Sequence, residues 1–136
     1  MKSVVRTSKP PEKRTWVEKV TDDDNHWLMA RSLEKDGLHK EAAYHYLKDA
    51  SRQRDLNILR AALSSFRAGM CLSSAGENQR AVRLLLAARD LYRKAASVSA
   101  GGPDAAWLRE RISCCRRGAS ELKALGENER SAGGSS

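Results

Sequence analysis

The chain has 136 residues, 25 Lys or Arg against 17 Asp or Glu, a formal charge of +8 and three cysteines. That length suits one core with tails rather than two domains, and the scarcity of aromatic and β-branched residues argues against a sheet. No apolar run reaches the roughly 18 residues of a membrane span, and Cys71 with the adjacent Cys114 and Cys115 makes no spaced disulfide framework, so the thiols read as reduced and the chain as cytoplasmic.

Residues 1–20 mix six Lys or Arg with two prolines and little periodicity, which predicts a basic flexible N-terminal arm. Asp22, Asp23 and Asp24 then offer an N-cap and negative charge where a helix dipole is positive, so a first helix is expected over 25–36, stopped by Gly37. A second, over 39–52, carries Ala42, Ala43, Tyr46, Leu47 and Ala50 on one face. Asp55 is the candidate cap of a third, over 56–75, whose apolar residues form two stripes. A helix with two apolar faces has neighbours on both sides, as an internal element of a stack does. The fourth, over 78–97, is equally wide. Ala100-Gly101-Gly102-Pro103 breaks the chain, and Asp104 opens a fifth helix to about Leu125, with Trp107, Leu108, Ile112, Cys115, Ala119 and Leu122 at helical spacing. Residues 127–136, rich in Gly and Ser, read as a disordered C-terminal tail, leaving 21–126 as the helical domain.

One pattern occurs twice. Ala30, Leu33, Gly37, Ala42 and Tyr46 have the same spacing as Gly69, Leu72, Gly76, Ala81 and Leu85. Small residues where two helices approach, a Gly where the first ends and a large residue one turn past the second small one describe an antiparallel helix pair. On these residues, with Phe66 through Leu91 and Tyr92 fitting best, the chain resembles the tetratricopeptide-repeat superfamily. Gly37 and Gly76 lie 39 residues apart against the roughly 34 of a standard repeat, a lengthening similar to soluble NSF attachment protein-type repeats. The resemblance covers 24–97 well and 104–126 poorly. The chain departs from the motif at Asp49, which stands where a small residue usually sits. The fold class that follows is all-α, a short right-handed stack of about five antiparallel helices, two and a half repeats, closed by the fifth.

Chemistry-bearing constellations are thin. His26, His39 and His45 lack the paired short spacings of a zinc site, Cys71 sits among small packing residues, and Gly101-Gly102 lacks the Lys and Ser/Thr of a phosphate loop. No enzyme, cofactor or metal is expected. Charge is the remaining signal: residues 51–117 carry thirteen Arg or Lys against five acids, while 21–50 carry four against seven. Arg predominates, which favours bidentate contact with carboxylate or phosphate.

Stacked helix pairs bind through the concave surface of their first helices. The resemblance implies that this surface holds Trp27, Arg31 and Lys35 of the first helix, Phe66, Met70, Ser73 and Ser74 of the third, and Arg116 and Lys123 of the fifth. Phe66 and Met70 read equally as core. The function expected is a non-catalytic adaptor or scaffold whose partner is a protein with an acidic or amphipathic segment. The alternatives are a nucleic-acid-binding accessory protein using the Arg-rich surface, and a small subunit of an oligomer or larger assembly whose apolar faces are completed by neighbours.

Overall fold

In the computed structural model, backbone is described for residues 16–98, 102 and 104–134, and side chains for 26–98, 102 and 104–128. Five helices follow in order: α1 (Trp16–Lys35), α2 (His39–Gln53), α3 (Ile58–Ser74), α4 (Asn78–Val98) and α5 (Ala105–Gly134). There is no strand among the described residues. Short connections make neighbours antiparallel, and each helix packs chiefly against the one before and the one after it.

The two glycine turns share one geometry. Gly37 and Gly76 have φ of 79° and 82°, a left-handed conformation that costs an L side chain free energy. In the first turn Leu38 N–H donates to the Leu33 carbonyl at 2.9 Å and Gly37 N–H to that of Glu34 at 3.0 Å. In the second, Glu77 N–H reaches Leu72 at 2.8 Å and Gly76 N–H reaches Ser73 at 3.0 Å. These bonds satisfy carbonyls that the helix end would otherwise leave open. Nothing lies within 4 Å of a Cβ built at either Gly, so the constraint is the backbone alone. Replacing Gly37 or Gly76 by Val should cost about 1 kcal/mol or more, and Asn, which tolerates this conformation, less. Thermal melts with Val and Asn variants equal to wild type would contradict this.

Small residues set the helix spacing. Ala30, Ala42, Ala43, Ala68 and Ala81 are buried with Tyr46, Cys71 and Leu72 in one core cluster, Ala62 and Ala88 with Tyr92, Leu108 and Cys115 in a second, and Val82, Leu85 and Ala119 in a third. Alanines let helix axes approach, and the larger side chains fill the remaining space. Both copies of the repeated pattern therefore point into the core, Ala42 with Tyr46 and Ala81 with Leu85. On the side of α5 away from the stack, Arg109, Arg116 and Ser120 are exposed, which makes that face of the helix polar.

Three boundaries differ from expectation. α1 begins at Trp16 rather than at residue 25, so Asp22–24 lie inside it, past the first turn where a carboxylate gains from the helix dipole. The expected arm thus overlaps α1 from Trp16 onward, and residues 1–15 lie outside those described. α3 is capped by Asn57 and not by Asp55, with Asn57 Oδ1 accepting from Arg60 N–H at 3.1 Å. α5 continues to Gly134, across most of the segment expected as a tail. Gly126 lacks the positive φ that ends α1 and α3, so the helix is not turned there.

Candidate functional site

Two polar clusters join the first three helices. Asp49 of α2 is fully buried, and its carboxylate accepts from Arg60 Nε of α3 at 3.1 Å and from the Ser64 hydroxyl. Beside it, the Tyr46 hydroxyl donates to Glu34 Oε1 of α1 at 2.7 Å, and Arg67 Nη1 lies 3.7 Å from the same oxygen. Burial first, then the bond to Glu34, push the Tyr46 phenol up to about 12, so it remains a donor throughout the physiological range. Trp27 lies between the two clusters. Arg60 stacks over its ring at 4.6 Å and Arg67 at 5.4 Å, and the ring meets Tyr46 edge-on at 5.4 Å. Trp27 is therefore a packing residue of the α1–α2–α3 junction.

A histidine pair ties α1 to α2 as well. His26 Nδ1 and His45 Nδ1 are 2.9 Å apart with ring planes at 28°, so one nitrogen donates and the other accepts. Two protonated rings cannot keep that bond. Burial first, and the His26 charge second, lower the His45 pKa. The unfolded chain then takes up its proton at higher pH than the folded chain does. Stability from this pair is full above about pH 6.5 and is lost as pH falls below that value. The melting temperature should drop between about pH 7 and pH 5, above the range where carboxylates titrate, and His45→Gln should flatten the drop. Equal slopes in the two proteins would exclude the pair as the cause.

On the other side of α3, a groove runs along α5. At its start Leu59 of α3 faces Asp104, Trp107 and Leu108 across a cleft of about 360 Å³. Further along, Phe66 and Met70 of α3 line a cleft of about 290 Å³ with Leu85 of α4 and Cys114, Arg117, Gly118 and Glu121 of α5. Arg111 stands between the clefts, over the Trp107 ring at 5.1 Å and the Phe66 ring at 5.7 Å. Trp107 rests edge-on against the buried Tyr92 at 6.0 Å. Met70 is 45% and Trp107 48% exposed; large apolar groups left in solvent beside an arginine are the unusual feature of this surface.

The residues expected on one concave surface separate here. Phe66 and Met70 share a cleft, Phe66 half-buried and packed on two of the core clusters, Met70 open to solvent. Trp27 lies in the α1–α3 junction, with Arg31 and Lys35 exposed further along α1. Ser73 is half-buried and Ser74 exposed at the end of α3. Arg116 belongs to a different cleft, with Ser113, Arg117 and Ser120. Lys123 lies beside Gln79, Val82 and Arg83 of α4. The physical reason is helix phase: Cys115 and Ala119 bury the face of α5 that meets α4, so Cys114 and Gly118 turn toward α3, while Arg116 turns away. The sequence reading missed Leu59, Trp107 and Arg111. The four-residue spacing of Trp107 and Arg111 was the available signal, since it places an aromatic and a cation on one helical face.

Cys71 and Cys115 are buried, Cys114 partly so, and all three are free thiols. Burial chiefly pushes the Cys71 and Cys115 thiols up to about 11, which keeps them protonated and poorly nucleophilic. Among the described residues no three His, Cys, Asp or Glu side chains converge to hold a metal ion. No helix among them is long and apolar enough to cross a membrane. No family model, no curated protein and no solved structure matches the chain.

Proposed function

We propose that the chain is a non-catalytic adaptor of the tetratricopeptide-like helical-repeat class, working in the cytoplasm, and that it captures a partner protein in the groove between α3 and α5. The supporting observation is the combination of solvent-open Leu59, Met70 and Trp107 with Arg111 held over two aromatic rings. An apolar floor with a cation at its centre suits a protein segment carrying apolar anchors and carboxylates. Two turns of the stack with one geometry support the repeat reading.

Met70 offers a clean test, because it is exposed and can be changed without opening the core. Wild type and Met70→Asp, both shown to be folded by circular dichroism, would be used for capture from native extract, at low and moderate salt and with nuclease. The expected result is a protein partner that survives nuclease treatment and is lost with Met70→Asp. Partner capture retained by folded Met70→Asp would reject the groove. Capture abolished by nuclease would reverse the choice in favour of nucleic acid, whose contacts also weaken steeply with salt.

A further inference from the structure

We infer that the groove's occupant is an amphipathic helix with two apolar anchors three turns apart and a carboxylate between them that meets Arg111; this rests on the adaptor reading above. Helices α3 and α5 both lie antiparallel to α4, so they run parallel to each other and the groove follows both. From Leu59 in the first cleft to Met70 in the second is three helical turns of α3, about 16 Å at 1.5 Å per residue. A docked helix repeats its face over the same distance, so residues three turns apart reach both clefts together. Each cleft, at about 360 and about 290 Å³, has room for a large apolar side chain.

The charge pattern selects an acidic partner. Arg111 is held by the Trp107 and Phe66 rings and makes no ion pair or hydrogen bond among the described residues. Stacking on a ring leaves guanidinium N–H donors available at the edge, where they match a carboxylate fork. Helix α3 has no acid, and its Arg60 and Arg67 are engaged on the side away from the groove, with Asp49, Glu34 and the Trp27 ring. Of the acids along the groove, Asp104 and Glu121 line the two end clefts, Glu121 together with Arg117, and Glu110 is paired with that Arg117 at 3.8 Å. A partner with a carboxylate at the middle, opposite Arg111, is the one this layout favours.

The wall chemistry selects a helix over an extended strand. Neither cleft is lined by Asn or Gln, the side chains that most readily supply both a donor and an acceptor to a peptide backbone. The polar lining is charged, Asp104 in one cleft and Arg117 with Glu121 in the other, and each such side chain offers a backbone only donors or only acceptors. An extended segment laid on Leu59, Phe66, Met70 and Trp107 would leave much of its backbone unpaired there. A helix satisfies its backbone internally and presents only side chains.

Fluorescence anisotropy with three labelled synthetic peptides of about 18 residues, long enough for five turns, tests this on the full chain. The first is a stapled helix with Leu at two positions three turns apart and Glu one and two turns after the first Leu. The second replaces both Glu by Lys. The third keeps the first composition but carries prolines on the outer face that prevent a helix. The first should bind at least about tenfold tighter than either other peptide, the preference weakening with salt. Arg111→Glu should reverse the preference between the Glu and Lys peptides, and Arg111→Gln, a milder change that guards against loss of fold, should erase it. Equal binding of the proline-containing peptide overturns the helix and leaves the groove as a docking face. Equal binding of the Glu and Lys peptides to wild type overturns the role of Arg111. Failure of all three peptides, with partner capture still lost on Met70→Asp, overturns the inference while the adaptor reading stands; failure of both experiments overturns the two together.

Discussion

Asp49→Ala should lower stability by about 3 kcal/mol, because it removes one member of a buried ion pair, a change that typically costs 3 to 5 kcal/mol. The lower end applies because the Arg60 side chain is 25% exposed and its guanidinium reaches solvent once the carboxylate is gone. On the roughly 4 °C per kcal/mol expected for a domain of this size, the melting temperature should fall by about 12 °C. The Ser64 hydroxyl, fully buried, also loses its acceptor. Asp49→Asn retains an acceptor oxygen and should fall between the two. Replacing both partners, as Asp49→Leu with Arg60→Met, should recover much of the loss, since an apolar pair of similar volume is often as stable as a buried ion pair. Melts in which Asp49→Ala stays within a degree or two of wild type would show that the buried carboxylate contributes little.

Gly69→Val should lower stability by about 2 to 3 kcal/mol through overpacking where α3 crosses α4. A Cβ on Gly69 would approach Leu85 Cγ and Cδ2 to 3.1 Å and the Ala81 carbonyl oxygen to 3.3 Å. The Leu85 tip can rotate, but the Ala81 oxygen is backbone and can retreat only if the helices separate. Gly69→Ala is a different case: relief of the glycine penalty in a helix, about 1 kcal/mol, offsets the tighter contact and leaves a change near zero. Leu85 is pinned from the other side too, with Gly118 of α5 so close that a Cβ there would lie 3.3 Å from Leu85 Cδ1. Leu85→Ala, which alone should cost about 2 to 5 kcal/mol, should therefore cost less in the Gly69→Val background than in wild type. Denaturant unfolding with Gly69→Val as stable as wild type would mean that this crossing is looser than the distances indicate.

What could be read from the sequence was local. Gly37 and Gly76 announce their turns because only a residue free of Cβ strain takes φ near 80° cheaply, and the alternation of Ala with large side chains fixes which faces are buried. Asp22–24 and Gly126 misled for the same kind of reason: an acid near a helix start and a Gly within a helix are each compatible with two structures. The groove was half legible. Phe66 and Met70 stand out on a helix with two apolar faces, but Trp107 and Arg111 join them only once the rotation of α5 about its axis is known. That rotation depends on Cys115 and Ala119 meeting α4, a contact no local pattern states. Asp49 shows the same limit, since its partner Arg60 lies across a turn and the aspartate alone looks like a flaw in the repeat.

Packing of each helix against its sequence neighbours gives the chain a kinetic character of its own. Such contacts close short loops, so little chain entropy is spent before native contacts form, and a topology of this kind folds on the microsecond to millisecond scale. Opening proceeds from the ends in the same way, since α1 has to leave α2 and the α3 side chains around Trp27 and Glu34, whereas α3 must part from whole helices on both sides. The α3–α5 groove lies away from the N-terminal end, and it keeps both walls while α1 detaches and returns.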